Sequence, residues 1–267
     1  MELLTWLTDA TSLSLGVLLL LIVCAFLAGF IDAIAGGGGL LTVPALLASG
    51  MPPHMSLGTN KLAATFGSIT ASYAFYRKKL FSPKFWRLSF IATCVGAVLG
   101  TVAVSHIDAT ILNKVLPILI GFSALYALFN PIKETDKAQL PEKSQTLKVK
   151  QSSQGLILGF YDGFAGPGTG AFWTVSSLIL YRMNLLMSSG LACAMNFTSN
   201  VCSLFAFIYL GYVNYIVGIA MGLFLMLGAY TGAHSAIRFG NRFIRPIFTV
   251  VVSIMAIKLA LDAWGAQ

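Results

Sequence analysis

The sequence predicts an all-α polytopic membrane protein made of two inverted-topology repeats of about five hydrophobic segments each, eight to ten in all. Three observations lead there: an apolar composition, charge confined to short clusters, and one glycine-aspartate motif that occurs twice. Hydrophobic residues make up 57% of the 267 and charged residues 10%, with a mean hydropathy of +0.82. A water-soluble globule of this length has no room to hide so much apolar surface, so lipid is the expected solvent.

The first half reads as apolar stretches at 13–35, 38–50, 57–76, 86–105 and 111–130. Leu13 to Phe30 carries no charge and is long enough to span. Residues 38–50 lie between Gly36-Gly37-Gly38-Gly39 and Pro52-Pro53. At ~1.5 Å per residue they fall short of a ~30 Å hydrocarbon core, and a half-helix is expected. Residues 131–152 form a basic linker, with five lysines against Glu134, Asp136 and Glu142, and Pro131 and Pro141 discourage a continuous helix there. Five more stretches follow at 154–165, 168–181, 187–210, 213–235 and 243–264, of which 154–165 is again too short to span. The expected division is a first repeat over 1–130, the linker, and a second repeat over 153–267.

The case for duplication rests on Gly29 to Gly38 and Gly159 to Gly168, which both read GFxDxxAGxG at a constant offset of 130. Lys and Arg in short loops favour the cytoplasm. With the N-terminus outside and every segment reversing direction, that face receives Arg77 to Arg87, the linker, Arg182, and Arg238 to Arg245. Both termini then face the periplasm. An odd number of segments per half inserts the second half in the opposite sense, so the repeats are inverted. The first two segments of each half form a hairpin whose glycine-rich tip lies at depth. Irregular backbone inside a membrane must line a cavity or be covered by protein, which singles out the two tips as a binding region.

Several function classes drop out. The net charge of +8 comes without a basic stripe interleaved with aromatics, so no nucleic-acid partner is expected. Cys24, Cys94, Cys193 and Cys202 have no CxxC or paired-histidine spacing and read as small packing residues, with neither disulfide framework nor metal site. Glu2 and Asp9 precede the first span and no Lys or Arg occurs before Lys61, so the basic start of a cleavable signal peptide is missing and the first span is expected to be retained. The glycine run follows no strand and lacks GxxxxGK[ST], which excludes a nucleotide cradle. His54, His106 and His234 are scattered, and no GxSxG elbow occurs, so neither an enzyme nor a cofactor is indicated.

Of nine acidic residues only Asp32 and Asp162 lie inside apolar segments, where a carboxylate costs at least ~2.5 kcal/mol. Three roles fit: support of a helix break, coupling to protons or Na+, and direct ligand contact. Gly36, Gly37, Gly38 and Gly39, and in the second half Gly166, Pro167, Gly168, Thr169 and Gly170, allow tight turns and present N–H groups at the starts of half-helices. Such ends favour anions, although close helix packing explains glycines equally well. Asn60 and Lys61 open the third segment. The Lys61 amine either snorkels to the interface or turns inward to meet an anion. In the second half Cys193 falls at the place of Lys61, and Asn196, Thr198, Ser199 and Asn200 offer polar but uncharged groups.

These residues also carry a resemblance. GFIDAIAGGGGLLTVPALLASGMPP followed by GTNKL, and GFYDGFAGPGTGAF followed by NFTSN, resemble the TauE/SafE sulfite-exporter family, in particular its YfcA-type members, over essentially the whole chain. The resemblance implies a multi-pass transporter of the bacterial inner membrane, with sulfite or organosulfonates as substrates. It attaches to Asp32, Gly36 to Gly39, Asn60, Lys61, Asp162, Gly166 to Gly168, Asn196 and Asn200. Cys193 departs from the lysine expected in some relatives, so a symmetric two-lysine clamp is not expected. The resulting expectation is a secondary transporter working by alternating access around a midplane site, with a passive anion channel as the alternative. Oligomeric state is left open.

Overall fold

The structure is a computed structural model that describes residues 13–116, 118–119 and 140–240. Eight helices over these residues carry the architecture: α1 (Leu15–Ala35), α2 (Gly39–Ala48), α3 (Pro53–Arg77), α4 (Arg87–Ser105), α5 (Gln145–Phe164), α6 (Thr169–Tyr181), α7 (Leu185–Tyr209) and α8 (Tyr215–Phe239). A further helical stretch begins at residue 109. The segment expected at 243–264, both termini, most of the segment expected at 111–130 and residues 131–139 of the linker lie outside the described residues. Among the described residues there is no strand, and α1, α4, α7 and α8 are long and apolar enough to cross a membrane.

Local chemistry sets the helix ends. The Ser14, Asn184 and Asn214 side chains accept the N–H of Val17, Met187 and Val217, capping α1, α7 and α8. Pro53 starts α3, where a missing N–H costs nothing. The ten residues of α2 are the expected half-helix. In the second half the short element is α6, with 13 residues, and not 154–165. Helix α5 begins inside the expected linker at Gln145 because Ser144 caps it by accepting Leu147 N–H at 3.0 Å. Its polar first turns are then satisfied by the protein: Gln154 Nε2 donates to Ser176 and Ser177, and Lys150 Nζ donates to the Leu180 carbonyl.

The outer faces are apolar, with Leu19, Leu20 and Val23 on α1 and Val95 and Leu99 on α4 exposed, as lipid requires. Small residues lie within. A Cβ at Gly96 or Gly100 of α4, or at Gly159 or Gly163 of α5, would run into the partner helix backbone, so these two helices touch main chain to main chain. Gly29 of α1 and Gly228 of α8 do the same for the α1–α8 pair. Packing partners thus interchange between halves: α1 lies on α8, α5 on α4, and α3 against α7.

One end of the bundle gathers Phe85 and Trp86 beside Gln151 and Tyr181, through Gln151 Nε2 to the Phe85 carbonyl and the Trp86–Tyr181 ring contact. The basic stretch Arg77–Arg87, the start of α5 and Arg182 therefore share that end. The opposite end joins His54 to Tyr212 and to the Val104 carbonyl.

Cys94 of α4 and Cys202 of α7 form a disulfide, with Cα atoms 5.6 Å apart. This corrects the reading of these two cysteines as mere packing residues. Their separation of 108 residues leaves no local signal, and only the packing of α4 on α7 brings them together.

Candidate functional site

The site is built where two helix breaks meet. Helix α1 ends at Gly36, whose φ of +73° is the left-handed cap and whose N–H returns to the Asp32 carbonyl at 2.9 Å. The Asp32 side chain then reaches forward and accepts the Gly38 N–H at 3.0 Å, satisfying a donor at the start of α2. Helix α5 breaks the same way at Gly166 and Gly168, with φ of +90° and +80°. There Thr169 Oγ1 donates within reach of both Asp162 Oδ1, at 3.1 Å, and the Gly166 carbonyl, at 2.7 Å.

The two tips touch through main chain, since Ala171 N–H donates to the Gly36 carbonyl at 3.0 Å. Gly36 and Gly170 meet so closely that a Cβ on either would strike the other's backbone. Gly39 packs on Pro167. Two short helices thereby point their N-termini, the positive ends of their dipoles, toward one small region.

Lys61 of α3 turns inward, at 1% exposure, and does not reach the interface. Its Nζ donates to Asp162 Oδ1 at 2.8 Å and to Asn200 Oδ1 at 3.3 Å. Ser199 Oγ donates to Asp162 Oδ2. Asp162, 4% exposed, is thus held by Lys61 from the first half and by Thr169 and Ser199 from the second. Pairing and hydrogen bonding offset the heavy cost of burying both charges.

The first half lacks that compensation. Cys193 of α7, expected at the place of Lys61, sends its Sγ toward the Ala33 carbonyl at 3.8 Å. Asp32 therefore has no cation bonded to it among the described residues.

Between the tips lies a cavity of about 30 Å³, lined by residues that include Asp32, Asp162, Asn60, Asn196 and Asn200. That is room for about one water molecule. Gly36, Gly38, Gly39, Gly166, Gly168 and Thr169 also border it. Gly37, Pro167, Lys61 and Ser199 stand behind the wall: the Gly37 carbonyl accepts Leu40 N–H, the Pro167 carbonyl accepts the Tyr161 hydroxyl, and the other two hold Asp162. Thr198 turns back to the Ala194 carbonyl of its own helix. Asn196 Oδ1 is buried with no hydrogen-bond partner among the described residues.

Gly170 also lines the cavity, and Thr42 joins the lining although the sequence did not single it out. Thr42 donates to Asn60 Oδ1 at 2.5 Å and fixes that amide at the cavity edge. Its place four residues after Gly38, in the first turn of α2, was the available signal. No group of three or more metal-ligating side chains occurs among the described residues.

Comparison with known proteins gives the same reading. A 254-residue alignment with a Haemophilus influenzae protein described as a probable membrane transporter protein shows 39% identity, over 94% of this chain and 97% of that one. The Escherichia coli K12 probable membrane transporter protein YfcA is 39% identical over 91% of this chain and 89% of its own. A Bacillus subtilis relative, the probable membrane transporter protein YdhB, is 26% identical over 80% and 89%. No solved structure matches. The family model described as sulfite exporter TauE/SafE matches residues 21–259, and with its paired glycine-aspartate breaks in a multi-pass helical bundle this chain belongs to that family of membrane transporters, not to an enzyme family.

Proposed function

We propose that the chain is a secondary transporter of a small anion, sulfite or an organosulfonate, and that it works by alternating access around the cavity between the two tips. The observation that carries this reading is the buried Lys61–Asp162 pair, which spans the two halves beside the converging N-termini of α2 and α6. An incoming oxoanion competes with the Asp162 carboxylate for the Lys61 ammonium and takes N–H donors from both helix starts. The side-chain amides of Asn60, Asn196 and Asn200, which line the cavity, offer N–H donors that complete the polar shell.

Charge balance argues for proton coupling. Lys61 supplies one positive charge, while Asp32 and Asp162 together supply two negative ones when ionised. An added anion makes the enclosed site strongly negative unless a carboxyl group is protonated, so a proton accompanies the substrate. The two halves, read as inverted repeats divided at the linker, rock about this point. The basic end that gathers Arg77, Arg87 and Arg182 faces the cytoplasm of a bacterial inner membrane. A cavity near the size of one water supports a carrier over an open channel, since the tips must part to admit a polyatomic anion.

The test uses protein in liposomes with labelled sulfite and, separately, a labelled small sulfonate. Saturable flux driven by a pH gradient is expected, abolished in Lys61→Ala and uncoupled from the gradient in Asp32→Asn. Flux unchanged by Lys61→Ala overturns the assignment, and non-saturating flux favours a passive channel.

A further inference from the structure

Where α4 and α5 begin, side by side, the surface opens into a groove of about 750 Å³. Its walls carry Lys84 and Arg87 from the approach to α4, and Lys143 and Lys148 from the start of α5. All four are exposed, and none has an ion-pair partner among the described residues. By contrast, the nearby Lys150 is engaged with the Leu180 carbonyl. Glu142 is the sole carboxylate in residues 140–151, and it is not among the described residues lining the groove.

The floor is apolar. Leu88 and Ile91 continue the groove along α4, and a second hollow of about 520 Å³ shares Leu88 and Lys148 and runs on to Leu156 of α5. Ile91 is 51% exposed and Leu156 43%, on helix faces that the described residues leave uncovered. Four cations without an ion-pair partner among the described residues, at the end of a helix long and apolar enough to span and above an apolar track, have the layout of a bound lipid. The cations match a headgroup phosphate and the track matches an acyl chain.

We propose that this groove binds an anionic phospholipid, with its phosphate between Lys84, Arg87, Lys143 and Lys148 and an acyl chain along Leu88, Ile91 and Leu156. The lipid clamps the start of α5 against α4, and so one half of the molecule against the other. The site is separate from the tip cavity and shares no residue with it.

Delipidated protein in neutral detergent is titrated with phosphatidylglycerol, phosphatidylcholine or inorganic phosphate while thermal unfolding is followed. A ligand that binds the native state alone raises the midpoint as its concentration passes Kd. Phosphatidylglycerol is expected to raise it in a saturable, salt-sensitive way, and the other two are not. The fourfold variant Lys84→Gln, Arg87→Gln, Lys143→Gln, Lys148→Gln changes only exposed side chains; it should lose the shift. Lys78→Gln with Lys79→Gln, which removes two exposed cations outside the groove, should keep it. Equal shifts with phosphatidylcholine or inorganic phosphate, retention by the fourfold variant, or loss in the control pair would each overturn the proposal.

Discussion

Lys61 and Asp162, 101 residues apart, form a buried ion pair at 2.8 Å that joins α3 to the last turn of α5. Removing one member of such a pair leaves a charge with no counterion in a low-dielectric site, typically at a cost of about 3–5 kcal/mol. Lys61→Met and Asp162→Asn are each expected to lower the unfolding midpoint in detergent substantially. The double variant should be more stable than either single variant, because no uncompensated charge remains, yet it should still fail to transport. Strictly additive losses in the double variant would show that the two groups do not act as a pair.

The Cys94–Cys202 disulfide ties the same two halves from α4 to α7. A protease site inserted after the exposed Lys143 should therefore give, on cleavage, two fragments that migrate as one species without reductant and separate with it. Cys94→Ser should release them in both conditions. Separation of wild-type fragments without reductant would show that the bond does not form in the membrane.

Much of the site was legible in the sequence because the membrane makes a buried carboxylate and a broken helix costly, and Asp32, Asp162 and the glycine runs stand out on that account. The direction taken by Lys61 was not legible. A lysine near a segment start snorkels or turns inward with equal ease until its partner is known, and Asp162 becomes its partner only through the packing of α3, α5 and α7. The start of α5 was misplaced for a related reason. Hydropathy scores Lys150, Gln151 and Gln154 as solvent-seeking, whereas the fold supplies the Leu180 and Phe85 carbonyls and the Ser176 and Ser177 hydroxyls to satisfy them.

Two glycines separate backbone strain from contact between the tips. Gly36 and Gly50 both adopt left-handed φ, +73° and +88°, but a Cβ at Gly36 meets the backbone of Gly170 and Ala171 while one at Gly50 meets nothing within 4 Å. Gly50→Ala should cost only the conformational penalty of about 1–2 kcal/mol and leave transport intact. Gly36→Ala carries the same penalty and adds overpacking of about 1–3 kcal/mol, since main chain on both sides leaves nothing soft to move. It should also break the Ala171 N–H to Gly36 carbonyl bond and push the α2 and α6 starts apart, so anion flux is expected to fall far more than the unfolding midpoint suggests. Equal behaviour of the two variants in liposome flux and in thermal unfolding would mean that the tip contact contributes nothing to the transport cycle.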